Sequence, residues 1–341
     1  MSDDNASTVT VLTQKARATR SSGRATLWQL LWKDKVAAVA AIILSFIVLT
    51  AIVGPPLFGD IAQRQDLGAR NMPPFSFQLG WEYVLGSDSL GRSLLARIIT
   101  AAGTTLGVAA AAVVVSAIVG SIWGMWAGFH RGWRESVSMR IADVIMSFPS
   151  LLLAVVILYV FNPSAANIVL VLAITRIPLY LRTARADAAE LRSRMFVDAA
   201  TNFGATNRAI VFRHIVPNVL PTLVTLATLE FCYVMLAESS LSFLGIGIQP
   251  PAPSWGGVLA SDLGYLTQRP YAPIFTTVLI MLSVWAFNLL ADVIRDVAGE
   301  SGRTLLTERD AARTRRIRRA HDRRNPPASD SQDALVGRSS S

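Results

Sequence analysis

Residues 98–129 read IITAAGTTLGVAAAAVVVSAIVGSIWGMWAGF, an apolar run that contains no Asp, Glu, Lys or Arg. About 18 such residues are enough to cross a bilayer as a helix. At about 1.5 Å per residue, this run is longer than a hydrocarbon core of roughly 30 Å. The stretch therefore predicts a membrane-spanning helix that tilts or extends beyond the membrane.

The rest of the chain has the composition of a membrane protein. Of its 341 residues, 52% are hydrophobic and 16% are charged, whereas soluble domains carry about a quarter charged residues. The apolar runs predict six spans, at residues 36–53, 98–129, 144–161, 167–181, 219–244 and 271–290. We expect Pro55 and Pro56 to end the first span, and Pro149 to kink the first turn of the third. The predicted fold class is all-α integral membrane, with six transmembrane helices.

The charge pattern predicts the orientation of the chain. The formal net charge is +9, and most of the basic residues are arginines in loops and tails. They do not form a folded basic face with aromatic residues, so we expect a lipid bilayer and no nucleic acid as a partner. Cytoplasmic loops are rich in Lys and Arg, which places both termini in the cytoplasm. The predicted segments are a disordered cytoplasmic tail (1–26), an interfacial turn with the first helix (27–53), an external segment (54–97), a helical core (98–297) containing a cytoplasmic loop (182–217), and an Arg-rich cytoplasmic tail (298–341).

The cytoplasmic loop carries a pattern of small residues. Asp198, Ala199 and Ala200 are followed by Gly204 and, before the next span, by Pro217. This order predicts a short helix, a break at the glycine and a second short helix. Small side chains lose little entropy on docking, which suits insertion into a groove of a partner. Gly204 allows either a positive φ or a close backbone approach at the break.

This pattern resembles the EAA loop of importer-type permeases of ATP-binding-cassette (ABC) transporters. Asp198 stands where Glu is usual in that family, and His214 replaces an isoleucine. Further strings, at residues 85–92, 213–218, 237–245, 249–256 and 286–290, resemble the second-permease type of the dipeptide, oligopeptide and nickel branch. Together they cover roughly residues 81–296.

The resemblance implies a type I ABC importer permease fold in the cytoplasmic membrane of a bacterium. Its implied partners are a second, homologous permease, two ABC ATPase subunits and an external solute-binding protein. The loop would be the coupling helix that receives the movement of the ATPase. The residues it implies for this coupling are Asp198, Ala199, Ala200, Gly204, His214 and Pro217.

The sequence offers no catalytic site of its own. A P-loop needs Gly-Lys-Ser or Gly-Lys-Thr, but Lys15, Lys33 and Lys35 follow Gln, Trp and Asp. We therefore expect the chain not to be an enzyme, and we expect ATP and Mg to bind the partner ATPase. The histidines fit no zinc spacing and Cys232 is the only cysteine, so no metal site and no cofactor are predicted in this chain.

Polar and small residues inside the spans supply further candidates. Gly120, Gly124 and Gly128 are spaced four residues apart, which lets helices approach closely. Their partner is either another helix of this chain or the second permease. Glu230 and Glu238 are costly inside a membrane and are expected to avoid lipid. Each either lines the transport pathway or is hydrogen-bonded to a neighbouring helix, and the serines near Glu238 favour the structural reading there.

Peptide import is the predicted function, because the branch is broad and its members share these strings. An importer of nickel or another small solute is the alternative within the branch. A secondary transporter driven by an ion gradient is a second alternative, although the two halves contain no convincing inverted repeat. A membrane receptor or anchor is a third, disfavoured by six spans without a soluble output domain.

Overall fold

The computed structural model describes residues 35–77, 80–130, 132–161, 164–267 and 269–295. The predicted tails, 1–26 and 298–341, and the interfacial turn before residue 35 lie outside them. The helices are α1 (Lys35–Gln63), α2 (Leu94–His130), α3 (Trp133–Met146), α4 (Ser150–Val160), α5 (Ala165–Arg192), α6 (Met195–Asn202), α7 (Asn207–Ile210), α8 (Val216–Phe243), α9 (Trp255–Leu263) and α10 (Tyr271–Arg295).

The predicted all-helical membrane class is confirmed. Among the described residues, five helices are long and apolar enough to cross a membrane, namely α1, α2, α5, α8 and α10. The pair α3 and α4 gives a sixth span if the two helices are counted together, and they meet at an angle of 85°. The predicted number of six thus depends on this bent pair.

The prediction that Pro55 and Pro56 end the first helix was wrong, because α1 continues through both prolines to Gln63. Each proline removes a hydrogen bond from the helix, but a neighbouring helix can compensate inside a membrane. Here α2 packs on this turn. A Cβ atom added to Gly103 would lie 2.5 Å from Pro55 Cγ and 2.7 Å from the Ala51 carbonyl oxygen. The absence of a side chain at Gly103 therefore lets α2 cover the proline turn.

The third span also differs from its prediction. Helix α3 begins at Trp133, before the predicted start of the span at residue 144, and Pro149 separates it from α4 instead of kinking the first turn of one helix. A proline disfavours helical backbone at the residue that precedes it, which explains why α3 ends shortly before Pro149. Two other helices end later than predicted, for a simpler reason. Helices α5 and α10 continue past the predicted ends at 181 and 290, because an apolar pattern does not detect polar helix extensions.

The glycine stripe of α2 lies against α5. Added Cβ atoms at Gly120 and Gly128 would meet the carbonyl oxygens of Ile177 and Arg185 at 2.7 and 2.5 Å. At Gly124 the added atom would approach the Leu181 carbonyl oxygen closer still. The two backbones are thus in contact along this stripe, and the packing partner is a helix of the same chain.

A buried charge network holds the segments next to the predicted outer ends of the helices. The Asp88 carboxylate accepts hydrogen bonds from Arg92 Nε at 2.6 Å and from an Arg97 guanidinium nitrogen at 2.7 Å. Arg269 donates to the Ser87 carbonyl oxygen at 2.9 Å and lies 3.7 Å from Asp262. Residues of α2, of the segment before it and of the segment around α9 therefore share one charged cluster.

Trp255 fixes α9 within this end of the bundle. Its side chain is fully buried, its indole N–H donates to the Ile98 carbonyl oxygen at 3.1 Å, and its backbone N–H donates to the Thr105 hydroxyl at 3.1 Å. A Cβ atom on Gly256 would collide with the Ser239 backbone. Helix α9 is thus wedged between α2 and α8.

The packing of α2 on α5 generates a prediction with a matched control. Gly124→Ala places a methyl group against the α5 backbone and should lower the unfolding temperature in detergent by several degrees. Gly107→Ala, on the same helix, meets no atom within 4 Å and should be neutral or stabilising by up to about 1 kcal/mol, since alanine favours helix. Thermal unfolding of both purified variants measures the difference, and equal unfolding temperatures would contradict the close approach.

The charge network generates a prediction about pH. Burial raises the pKa of Asp262 to about 6, against the opposing effect of Arg97 and Arg269, and neither carboxylate oxygen has a hydrogen-bond donor. Because the folded state binds this proton more tightly than the unfolded state, its contribution to stability is full below about pH 4 and is lost as the pH rises through about 6.

The expected loss is roughly 3 kcal/mol. The unfolding temperature in detergent, measured from pH 4 to pH 7, should therefore fall for the native chain relative to Asp262→Asn, which cannot titrate. Parallel profiles for the two proteins would show that the Asp262 carboxyl does not change its protonation in this range.

Candidate functional site

The loop between α5 and α8 consists of two short helices joined at a glycine. Helix α6 ends in a Schellman motif, in which the Gly204 N–H donates to the Thr201 carbonyl oxygen at 2.9 Å and the Ala205 N–H to that of Ala200 at 3.0 Å. Gly204 has a φ of +82°, and a Cβ atom added there would meet nothing within 4 Å. A glycine was expected here either for a positive φ or for a close backbone approach, and the structure shows the positive φ. The Thr206 hydroxyl then caps α7 by accepting from the Ala209 N–H.

One side of this loop is buried. Val197, Ile210 and Ile215 pack in an apolar cluster with residues near the ends of α2, α5 and α8, namely Phe129, Tyr180, Ala184, Ala188, Val219 and Leu223. Arg192 at the end of α5 adds a hydrogen bond to the Phe129 carbonyl oxygen, with its guanidinium 5.0 Å from the Phe129 ring. The loop is therefore attached to three of the long helices.

Several other residues of the loop are exposed, and some of them are large and apolar. Met195, Phe203 and Phe212 expose 87%, 92% and 72% of their surface, and Asp198 and Ala199 are exposed beside them. We call these five residues the loop surface. Exposed apolar side chains of this size suit a surface that binds a partner.

The structure brings the predicted coupling residues into one segment, but not all onto the loop surface. Asp198 and Ala199 belong to it, Ala200 is half-buried behind them, and Gly204 forms the turn. His214 is half-buried, with its ring 6.0 Å from that of Phe196. Pro217 is exposed in the first turn of α8. Sequence reasoning missed Met195, Phe203 and Phe212, although large apolar residues in an otherwise charged loop were a signal.

Glu238 is fully buried in α8 with several hydrogen-bond donors. Ser242 and Ser239 donate to its carboxylate at 2.7 and 3.4 Å, and the Thr105 hydroxyl of α2 also contacts it. The same hydroxyl accepts from the Trp255 N–H, so Thr105 joins α2, α8 and α9. This geometry agrees with the structural reading of Glu238, whose role stays a prediction.

Glu230 lies in a second polar cluster, which we call the α5–α8 cluster. Its carboxylate accepts a hydrogen bond of 3.4 Å from Arg176 of α5. The Arg176 guanidinium lies 3.7 Å from the centre of the Tyr233 ring, a cation–π geometry. The Tyr233 hydroxyl in turn contacts the Ser150 hydroxyl of α4 at 2.6 Å. These four residues form the α5–α8 cluster, and of them the sequence singled out Glu230 alone.

The described part of the chain contains no group of three or more His, Cys, Asp and Glu side chains arranged to hold a metal ion. Cys232 is buried in α8, with its sulfur 3.9 Å from the carbonyl oxygens of Thr228 and Val284.

Comparison with known proteins identifies relatives that cover more than three quarters of the chain. A family model for binding-protein-dependent transport system inner membrane components matches residues 120–299. A second model, the N-terminal TM domain of oligopeptide transport permease C, matches residues 24–74. The inward-facing methionine ABC transporter MetNI is similar at 20% identity and a TM-score of 0.44, covering 56% of this chain and 94% of that one.

The chain is also similar to several named permeases. It is 34% identical over 267 residues to a putative peptide transport system permease of Brucella abortus, covering 78% of this chain and 88% of that protein. It is 34% identical over 264 residues to the dipeptide permease DppC of Alkalihalophilus pseudofirmus, covering 77% and 85%. The glutathione permease GsiD of Pectobacterium atrosepticum is 33% identical over 270 residues, covering 79% and 88%. The chain therefore belongs to the family of binding-protein-dependent transport system inner membrane components, the integral membrane permeases of ABC importers.

Proposed function

We propose that the chain is a permease subunit of an ATP-driven importer of peptides. The observation that carries this proposal is the agreement of the relatives, which are named as peptide, dipeptide and glutathione transport permeases. The match of residues 24–74 to the N-terminal domain of an oligopeptide permease supports the same substrate class. The nickel alternative has no support among these relatives.

The proposed complex contains a second, homologous permease, two ABC ATPases and an external solute-binding protein. ATP and Mg bind the ATPases, because the three lysines of this chain fit no P-loop. Both termini and the loop at 182–217 lie in the cytoplasm, as the distribution of arginine indicates. The segment 54–97 faces the outside, except where α1 and α2 extend into it.

The loop surface is the proposed docking site for an ATPase. Its exposed apolar residues suit a groove of a partner, while Val197, Ile210 and Ile215 attach the same loop to α5 and α8. A displacement of the docked loop is therefore passed to the two helices that flank it. Closure of the ATPase dimer would move the bundle from an inward-facing to an outward-facing state, and ATP would drive the cycle instead of an ion gradient.

Phe203→Glu tests the docking site. This substitution places a negative charge on the loop surface. It should abolish both the co-purification of the ATPases with the tagged chain and ATP-dependent peptide uptake. Phe77→Glu is the matched control, because Phe77 is 59% exposed in the segment before α2 and is not on the loop. Unchanged ATPase recovery for Phe203→Glu would contradict docking at this surface. Uptake that follows an ion gradient and ignores ATP would favour a secondary transporter.

Gly204 tests the turn between α6 and α7. Gly204→Ala should cost about 1 to 2 kcal/mol locally, because an alanine at positive φ is strained, and Gly204→Asn should cost less, since Asn tolerates this conformation. Hydrogen exchange of α6 in the purified complex measures the cost. Gly264→Ala is the control, since Gly264 has a φ of −61° and no atom within 4 Å of the added Cβ. Equal exchange in Gly204→Ala and Gly264→Ala would contradict the strained turn.

A further inference from the structure

The α5–α8 cluster lies within two of the membrane-spanning helices. At about 1.5 Å per residue, Arg176 is about 17 Å from the start of α5 and Glu230 about 21 Å from the start of α8. Charged residues at this depth are costly in lipid and mark transport pathways when they face a water-filled cavity. The position therefore raises the question of what this ion pair faces.

The cluster is partly open. The side chains of Arg176 and Glu230 are 15% and 12% exposed, and Tyr233 is 38% exposed. Hydrocarbon on the open side would leave a charged pair in contact with lipid. Water or protein must therefore fill that side, and the substrate sites of transporters commonly lie near the bilayer midplane, between helices.

The pairing within the cluster is incomplete. The contact between Arg176 and Glu230 is a single hydrogen bond of 3.4 Å, which is long for a charge-assisted bond. The buried Arg176 Nε–H has no acceptor, and an unsatisfied buried donor is costly. The Tyr233 ring covers the face of the guanidinium, which leaves its edge as the hydrogen-bonding side. A carboxylate is the group that fits an edge with two parallel N–H donors.

We propose that the α5–α8 cluster is a transient site for a peptide in transit, in which Arg176 binds the C-terminal carboxylate. Glu230 holds the guanidinium in place between passages, and the carboxylate replaces it as the acceptor. Tyr233 orients the guanidinium by cation–π contact, and Ser150 orients Tyr233. This inference rests on the proposed function of peptide import and adds a specificity-determining residue to it.

The first test compares two forms of one dipeptide, with a free and an amidated C-terminus, in ATP-dependent uptake by proteoliposomes containing the whole complex. Uptake by each variant is divided by uptake of the same peptide by the native complex, so the preference of the binding protein cancels. Arg176→Gln should lower uptake of the free acid about tenfold more than uptake of the amide, as the loss of a charge-assisted hydrogen bond implies. Arg182→Gln is the control, because it removes an arginine of α5 that pairs with Asp143 outside the cluster.

The outcomes separate this site from a structural ion pair. The proposed site would be overturned if Arg176→Gln lowered the uptake of both peptides equally, or if the charge swap Arg176→Glu with Glu230→Arg restored the uptake of both. Either result would leave peptide import standing. Uptake of neither form by the native complex would overturn the proposed function itself.

A second test measures directly whether a water-soluble reagent reaches the cluster. Cys232 is the only cysteine of the chain, so Cys232→Ala provides a background for Tyr233→Cys and for the control Val114→Cys, whose native residue is 54% exposed on α2. A water-soluble thiol reagent should label this chain at position 233, and the free-acid dipeptide should slow that labelling at least several-fold while the amide does not. Absence of labelling at 233, or equal protection by both peptides, would contradict the site.

Discussion

The close approach of α2 and α5 is the contact on which the rest of the bundle depends. Lipid tails are as apolar as leucine, so helices in a bilayer associate by packing instead of hydrophobic burial. Gly120, Gly124 and Gly128 bring the α2 backbone against the carbonyl oxygens of α5. This contact fixes the rotation and height of α5, and with them the direction in which Arg176 points toward α8. It also sets the position at which α5 ends and the loop begins.

Helix α5 connects the two candidate sites. It carries Arg176 in its middle, and its end, with α8, holds the buried side of the loop through Tyr180 and Ala184. The opposite ends of α2 and α8 are joined through Thr105 and Trp255. A bundle that is fixed at one end and attached to this loop at the other can transmit a displacement of the loop to the α5–α8 cluster, because packed interiors are stiff.

The sequence allowed the spans and the break at Gly204 to be predicted, because apolar length and glycine chemistry are local signals. It did not allow the course of α1 through Pro55 to be predicted, because that depends on Gly103, about fifty residues away in the chain. The pairing of Arg176 with Glu230 was hidden for the same reason. Each residue is visible as a charge in a span, but their contact depends on how α5 and α8 are rotated. Pro149 was expected only to kink the first turn of one helix, whereas in the structure α3 and α4 are separate helices that meet at 85°.

Stability gives a weak reason for the Arg176–Glu230 pair. A centrally placed charge costs roughly 3 kcal/mol on insertion scales, and the single bond of 3.4 Å returns part of that cost. Apolar side chains of similar volume would often pack as well or better in such a place. Glu238 is different, since its carboxylate is surrounded by donors from α2 and α8. Of the two acidic residues in α8, Glu230 has incomplete pairing and an open side, and it is therefore the one placed to give up its arginine to a passing carboxylate.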